Sequence, residues 1–205
     1  MKDAKLFSDT HSYIKNAHKG AKQAVDNFIS NILLPLENFA KTKEMFKTYK
    51  QYENGGKVLV PKNINKKASD YKSLINIANL FAKDGKVVRL TPTVHFKSIE
   101  YEEIYGSLIG TVYERKCPDL QIDGLLYEFE NYTPPFRKKK ISHMISQGTK
   151  QAPRIIINNT KGASDRFIRD NIYKRIKDKT FNMEIEEVWL YEKGELRLFY
   201  KNGGE

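Results

Sequence analysis

The chain has 205 residues, with 36 Lys and Arg against 25 Asp and Glu, a formal net charge of +11 and one cysteine. That length supports one domain, or one and a part, with a real hydrophobic core. Cys117 alone excludes an intramolecular disulfide and a thiolate zinc cluster, and no apolar run approaches the roughly 20 residues of a membrane span, so a soluble protein without a signal core is expected.

Residues 5–52 read as two helices, with Ile14, Ala17, Ala21, Ala24, Val25 and Phe28 on the first and Leu36, Phe39, Ala40 and Phe46 on the second, separated near Leu34-Pro35. Asn54-Gly55-Gly56 ends this part, so residues 1–55 are expected to form a helical extension and 56–205 a mixed α and β domain. His11 and His18 stand two helical turns apart, too far to chelate one ion, and read as surface histidines. Residues 57–60 form a short strand, and Ser69 is placed to cap a helix carrying Leu74, Ile75, Ile77, Ala78, Phe81 and Ala82. Asp84-Gly85 stops that helix, residues 86–90 form a strand, and Thr91-Pro92 closes it. Residues 93–117 carry no clear period and read as a loop with a brief helical turn.

The stretch from Pro118 to Glu130 reads as a β-hairpin around Asp123-Gly124. A two-residue type I′ turn pairs residue 122 with 125, 121 with 126 and 120 with 127, and sets Asp119 opposite Glu128. The two-residue period then places Leu120, Ile122, Leu125, Tyr127 and Phe129 on one face and Asp119, Gln121, Leu126, Glu128 and Glu130 on the other. Three carboxylates gathered on one face repel one another and are offset either by open water or by a cation, for which a divalent metal is the chemical candidate.

Beyond the hairpin, Pro134-Pro135 blocks the ladder and a helix is expected through about Gln151, with Ile141, Met144 and Ile145 facing inward. Residues 154–158 read as a buried strand, 164–177 as a helix, and 187–191 with 195–200 as a terminal hairpin turning at Lys193-Gly194. Between Pro134 and Thr180 stand thirteen Lys or Arg against three acids, so nearly the whole positive excess lies there. Such a segment fits a phosphate-attracting surface, and it equally fits a solvated basic helix face.

From residue 69 to 158 the expected order is helix, strand, strand, strand, helix, strand. With Pro118-Asp119, Glu128-Phe129-Glu130 and Gln147 and Gln151 on the following helix, this resembles the αβββαβ core of the PD-(D/E)XK nuclease superfamily. More narrowly, residues 57–158 resemble the C-terminal tRNase domains of contact-dependent growth inhibition toxins and related phage and mobile-element toxins. That likeness is carried by Gly85-Lys-Val-Val-Arg-Leu90, Cys117-Pro-Asp-Leu-Gln-Ile-Asp-Gly124, Tyr127-Glu-Phe129 and the stretch from Ile145 to Ile157. The resemblance implies an α/β (α+β) fold with an N-terminal helical extension and a C-terminal helix plus hairpin. It implies that Asp119 and Glu128 hold one or two Mg²⁺ or Mn²⁺ ions, with Asp70 as the acid of the first helix, where Glu is commoner, and Glu130 completing the catalytic set. Gln147 and Gln151, four residues apart, and Lys138, Lys139 and Lys140 would contact substrate; a polar helix stripe accounts for each glutamine equally well.

Glu130 departs from the pattern, which normally ends in Lys. Some restriction endonucleases of the superfamily also carry Glu there, so an active and a decayed site are both open. Lys116 or a member of Arg137-Lys138-Lys139-Lys140 is a substitute cation, although Lys116 falls on the opposite strand face from Asp119 if pairing continues that far. The resemblance implies an RNase acting in the cytoplasm, tRNA as its substrate, delivery within a secreted or mobile-element toxin, an acidic cognate immunity protein and no membrane partner. Competing readings are a DNA endonuclease of the same fold, a catalytically silent nucleic-acid-binding module, and a helical carrier whose basic surface meets an acidic partner.

Overall fold

The computed structural model describes residues 22–23, 45–132, 135, 137–178 and 184–203. The chain divides into two units, Met1–Glu44 and Met45–Glu205, and every element below belongs to the second. Of the helices expected over residues 5–52, only Lys22 and Gln23 are described before Met45, and both are helical; His11 and His18 lie outside the described residues. The end of that stretch is a correction: Phe46–Gln51 is a strand, β1, so the boundary falls at Glu44 and not at residue 55. Only Phe46 of β1 is buried, and a strand with one inward side chain leaves no alternation to read. Backbone pairing with β2 (Lys57–Pro61) makes it a strand.

The remaining elements are α1 (Tyr71–Lys83), β3 (Val87–Leu90), α2 (Ile99–Tyr105) with a 3₁₀ turn at Gly106–Leu108, β4 (Leu120–Ile122), β5 (Leu125–Glu130), α3 (Lys138–Gly148), β6 (Arg154–Asn158), α4 (Asp165–Lys177), β7 (Glu187–Glu192) and β8 (Glu195–Lys201). The fold is mixed α/β. Its eight strands form one sheet in chain order, β1 to β8. Three parallel pairs, β2 with β3, β5 with β6 and β6 with β7, are each joined through a helix, and the other pairs are antiparallel.

Strand alternation distributes the core over both faces of the sheet. Val58, Val88, Leu120, Ile122, Tyr127, Phe129 and Ile156 pack with Ile75, Ile77, Ala78, Phe81 and Ala82 of α1. Ile155 and Ile157, on either side of Ile156, instead meet Ile141, Met144 and Ile145 of α3 and Ile168 and Ile172 of α4. Leu126, the neighbour of Tyr127, packs with Tyr101, Ile104 and Tyr105 of α2. One side of the sheet therefore carries α1, and the other carries α2, α3 and α4.

Three local expectations change. The stretch read as a loop contains α2, capped by Ser98, whose Oγ accepts the Tyr101 N–H at 3.2 Å. The N-cap of α1 is Asp70, not Ser69, and its carboxylate makes no cap bond because Asn131 holds it. Helix α3 ends at Gly148, so Gln151 lies in the turn beyond it, with its N–H donated to the Gly148 carbonyl at 2.9 Å. Among the described residues, no helix is long and apolar enough to cross a membrane.

The β1–β2 turn and the end of α1 meet at Gly56, where an added Cβ would lie 1.8 Å from the Ala82 carbonyl oxygen. Gly56→Ala is expected to destabilise the domain by about 1–3 kcal/mol, since backbone and not a flexible side chain must move. Urea denaturation checks this. An unchanged midpoint would mean that β2 and the end of α1 do not approach as described.

A candidate carboxylate site

The hairpin has the expected register: Leu120 pairs with Tyr127, Gln121 with Leu126 and Ile122 with Leu125. Asp123 and Gly124 have φ of 46° and 87°, the two positive values that a type I′ turn requires. Asp123 is structural. Its Oδ1 accepts the Val87 N–H at 2.9 Å and its Oδ2 pairs with Lys86 at 3.0 Å, which together hold its carboxyl below the ordinary range.

At the other end of the hairpin the ladder stops at Leu120. Asp119 reaches across with its side chain, whose Oδ2 accepts the Phe129 N–H at 3.2 Å. Its backbone is pinned from β3: the Thr91 N–H donates to the Asp119 carbonyl at 2.9 Å, and the Thr91 hydroxyl donates to the Pro118 carbonyl. The buried Tyr105 hydroxyl donates to the Pro92 carbonyl at 2.7 Å and also faces that of Pro118. Glu128 and Glu130 lie beside Ile155 and Ile157 of β6, on the side of the sheet that carries α3. Gly148 seats α3 there, because a Cβ at that position would come within 2.9 Å of the Glu130 Cγ.

Asp70 arrives from the start of α1. Its Oδ1 accepts from Asn131 Nδ2 at 2.7 Å, and Asn131 Oδ1 in turn accepts from Asn158 Nδ2 at 2.8 Å and from the Tyr132 N–H at 2.9 Å. This relay joins α1, the end of β5 and the end of β6. No motif in the sequence singles out Asn131 or Asn158; an asparagine closing the apolar run of β6, and only 8% exposed there, is the one trace of the relay.

Asp119, Glu128 and Glu130 are half-buried, and among the described residues no Lys or Arg forms an ion pair with any of them. Burial, and then the charges of their neighbours, push all three carboxyls above the ordinary range. Asp119 is raised by burial and by Asp70, against the Phe129 N–H. Glu128 is raised further, by burial, Asp119 and Glu130, with a smaller opposing pull from Lys116. Burial, Asp119 and Asp70 raise Glu130 to about 7. Asp119 and Glu130 therefore lie in the field of Asp70, and Glu128 in that of Asp119 and Glu130, although these acids come from separate elements.

Among the described residues, no three His, Cys, Asp or Glu are arranged as a ready-made metal cage. The donor set nonetheless suits a hard divalent cation such as Mg²⁺, which takes one or two carboxylates and completes its shell with water and substrate phosphate. Two uncompensated, half-buried carboxylates side by side are the chemistry that such an ion relieves.

The remaining expected residues are spread more widely. Gln147 is half-buried on α3, with its Nε2 3.5 Å from His143 Nε2, and neither it nor Gln151 hydrogen-bonds Asp119, Glu128 or Glu130. Lys138, Lys139 and Lys140 open α3, with Lys139 exposed and Lys140 half-buried. β4 begins at Leu120, so pairing does not extend to Lys116, and its assignment to the opposite strand face does not apply. A cleft of about 500 Å³ lined by Leu108, Tyr113, Leu125, Pro153, Arg154 and Glu186 lies at the turn end of the hairpin and includes none of the acids.

Compared with known family models, curated proteins and solved structures, the chain shows no significant match.

These raised carboxyls bind protons more tightly in the folded chain than in the unfolded one. Their contribution to stability is therefore complete below an ordinary value of about 4.5 and is lost as pH rises through the folded value, about 7 for Glu130. In chelator, Glu130→Gln is expected to match wild type near pH 4.5 and to exceed it by about 1–3 kcal/mol at pH 8, the upper figure following from a rise from 4.5 to about 7 at about 1.4 kcal/mol for each pKa unit and the lower from solvent screening of a half-buried group. Thermal denaturation across that range is the measurement; a difference independent of pH would remove Glu130 from the cluster.

Proposed function

We propose that this domain is a metal-dependent nuclease of the PD-(D/E)XK type that cleaves phosphodiester bonds in RNA, with tRNA favoured by the sequence resemblance alone. The observation that carries the reading is the gathering of Asp119, Glu128 and Glu130, with Asp70 from the start of α1, at one end of the sheet, with no Lys or Arg among the described residues in ion-pair contact with Asp119, Glu128 or Glu130. Two further features support it. The order α1, β3, β4, β5, α3, β6 follows the αβββαβ plan, with α2 inserted between its first two strands. The positive excess of the chain lies in the segment that builds α3 and α4.

Asp119 and Glu128 would hold the metal. When bound, Mg²⁺ or Mn²⁺ supplies an acidified water and neutralises charge developing on the phosphate. Asp70, fixed by Asn131, adds negative field to the same site. Glu130 stands where a lysine is usual in the family resembled and would serve as a metal ligand or as a base that orients the attacking water. Lys138, Lys139 and Lys140 attract the strand by its phosphates. The reading extends to a cytoplasmic site of action, delivery as part of a secreted or mobile-element toxin, and an acidic immunity protein that covers the basic face.

A second reading, a catalytically silent nucleic-acid-binding module, is favoured by the reversed charge at Glu130. Incubation with total RNA and plasmid DNA, in Mg²⁺, in Mn²⁺ and in chelator, separates these readings and also tests the DNA endonuclease. Asp119→Ala and Glu128→Ala are each expected to abolish cleavage while thermal stability in chelator stays level or rises; full activity in either variant removes the site.

Glu130 divides the two readings. In an active site, Glu130→Gln loses cleavage and metal affinity together, whereas in a decayed one wild type is silent and Glu130→Lys restores cleavage, because an ammonium again stabilises the phosphate. Wild-type rates in Glu130→Gln would make that residue a bystander. Replacing Lys138, Lys139 and Lys140 together by Gln should flatten the salt dependence of binding, by about 0.7 in log–log slope for each single-strand phosphate that is no longer neutralised. An unchanged slope would mean that these lysines are only a solvated helix start.

A further inference from the structure

We propose that the two loops leading into the carboxylate site, residues 94–97 and 113–117, form an anion grip in which Lys97 and Arg115, both held on the ring of Phe96, take a phosphate of the nucleic-acid strand. The inference rests on reading the acids as a phosphodiester site, and it adds a binding surface outside the basic segment of residues 134–180.

The grip is built from cations that the fold brings together. The Arg115 guanidinium carbon lies 4.6 Å from the centre of the Phe96 ring and the Lys97 Nζ lies 5.5 Å from it, so one half-buried ring carries two positive charges. Lys116 follows directly and is near enough to Glu128 to lower its proton affinity, which connects the grip to the acids. None of the three cations is in an ion pair among the described residues. The carboxylate beside them, Glu114, is engaged elsewhere, where its Oε2 accepts the Gly110 N–H at 3.2 Å. Like charges gathered on one ring, with no counter-ion among the described residues, leave a place for an external anion.

The loops are fixed in this arrangement. Arg115 has a φ of 71°, a left-handed conformation that an L side chain rarely adopts and that persists only where the surroundings determine it. Those surroundings are the Lys116 N–H donated to the Tyr113 carbonyl at 3.1 Å and the Cys117 thiol facing the Val94 carbonyl at 3.5 Å. On the other loop, the Lys97 N–H donates to His95 Nδ1 at 3.2 Å and the Ser98 N–H to the His95 carbonyl at 2.9 Å. Arg115 is four residues from Asp119, hence at most about 14 Å away along the chain, within reach of the same short stretch of strand. A phosphate suits the site because a guanidinium and an ammonium are both held on the one ring of Phe96, and the guanidinium is a planar fork matched to phosphate oxygens.

The test is binding of a short single-stranded RNA by the full chain in chelator, followed by fluorescence anisotropy over a salt series. Lys97→Gln with Arg115→Gln is compared with Lys72→Gln with Lys83→Gln, which removes the same charge from exposed positions on α1, the opposite side of the sheet. The grip variant should bind several-fold more weakly, with a log–log salt slope flatter by about 0.7 for each phosphate it leaves unneutralised, and the α1 variant should retain most of the wild-type affinity. Phe96→Leu, which keeps an apolar group against the core but removes the ring, should weaken binding in the same direction with all charges present. Inorganic pyrophosphate should displace RNA from wild type more readily than from the grip variant.

Equal weakening in the grip and α1 variants overturns the proposal, as does a wild type that does not bind RNA. Displacement by polyglutamate that equals displacement by pyrophosphate at matched charge would assign the cations to an acidic polypeptide and overturn it as well. Cleavage is scored separately with Mg²⁺ and Mn²⁺. A silent wild type whose RNA binding depends on Lys97 and Arg115 retains the grip and removes the nuclease, whereas active cleavage with unchanged binding in the grip variant does the reverse.

Discussion

A two-residue turn at Asp123-Gly124, with both residues at positive φ, allows β4 and β5 one pairing, and that pairing decides which side chain meets which face of the sheet. With β4 in place, a slip of β5 by one residue would send Tyr127 and Phe129 away from α1 and turn Glu128 and Glu130 toward it in their place. The turn is itself tied to β3 through the Asp123 carboxylate, the Val87 N–H and Lys86, so the register is held from outside the hairpin too. The apolar packing of α1 and the gathering of the acids on the opposite face are thus two results of one constraint.

Gathering those acids costs stability. Half-buried carboxylates with no ion-pair partner among the described residues persist only because the rest of the domain holds them. The supports are specific: Thr91 and Tyr105 fix the backbone of Asp119, Gly148 seats α3 against Glu130, and Asn131 with Asn158 fixes Asp70. None of these groups need touch a substrate. They exchange part of the stability supplied by Ile155, Ile156 and Ile157, all fully buried, for a concentrated negative field at one end of the sheet.

That negative centre lies in a chain of strongly positive net charge, and the contrast is the main electrostatic feature of the domain. Cations stand before the acids in sequence, at Lys97, Arg115 and Lys116, and after them, from Arg137 through α4. In the proposed reading, a polyanion would be drawn by the surrounding field and would meet the carboxylates only at short range, where a divalent ion would reconcile the two signs. Glu130 adds a third carboxylate to that centre and so strengthens the contrast.

Local pattern was enough for the hairpin, for β6, for α4 between Ser164 and Lys177, and for the terminal hairpin at Lys193-Gly194, because in each the period of the apolar residues and the punctuating turn agree. It also placed Asp119, Glu128 and Glu130 on one face, since strand alternation and turn geometry are properties of neighbouring residues. It missed β1, whose outward side chains carry no alternation and whose strand character comes from pairing with β2. It assigned the cap of α1 to Ser69 because it had no means to see that the carboxylate of Asp70 is held by Asn131, 61 residues away. The burial that raises the acids, the Asn131 relay and the placing of Lys97 and Arg115 on the ring of Phe96 were decided only by the tertiary structure, because each depends on groups that chain folding, and no local period, brings together.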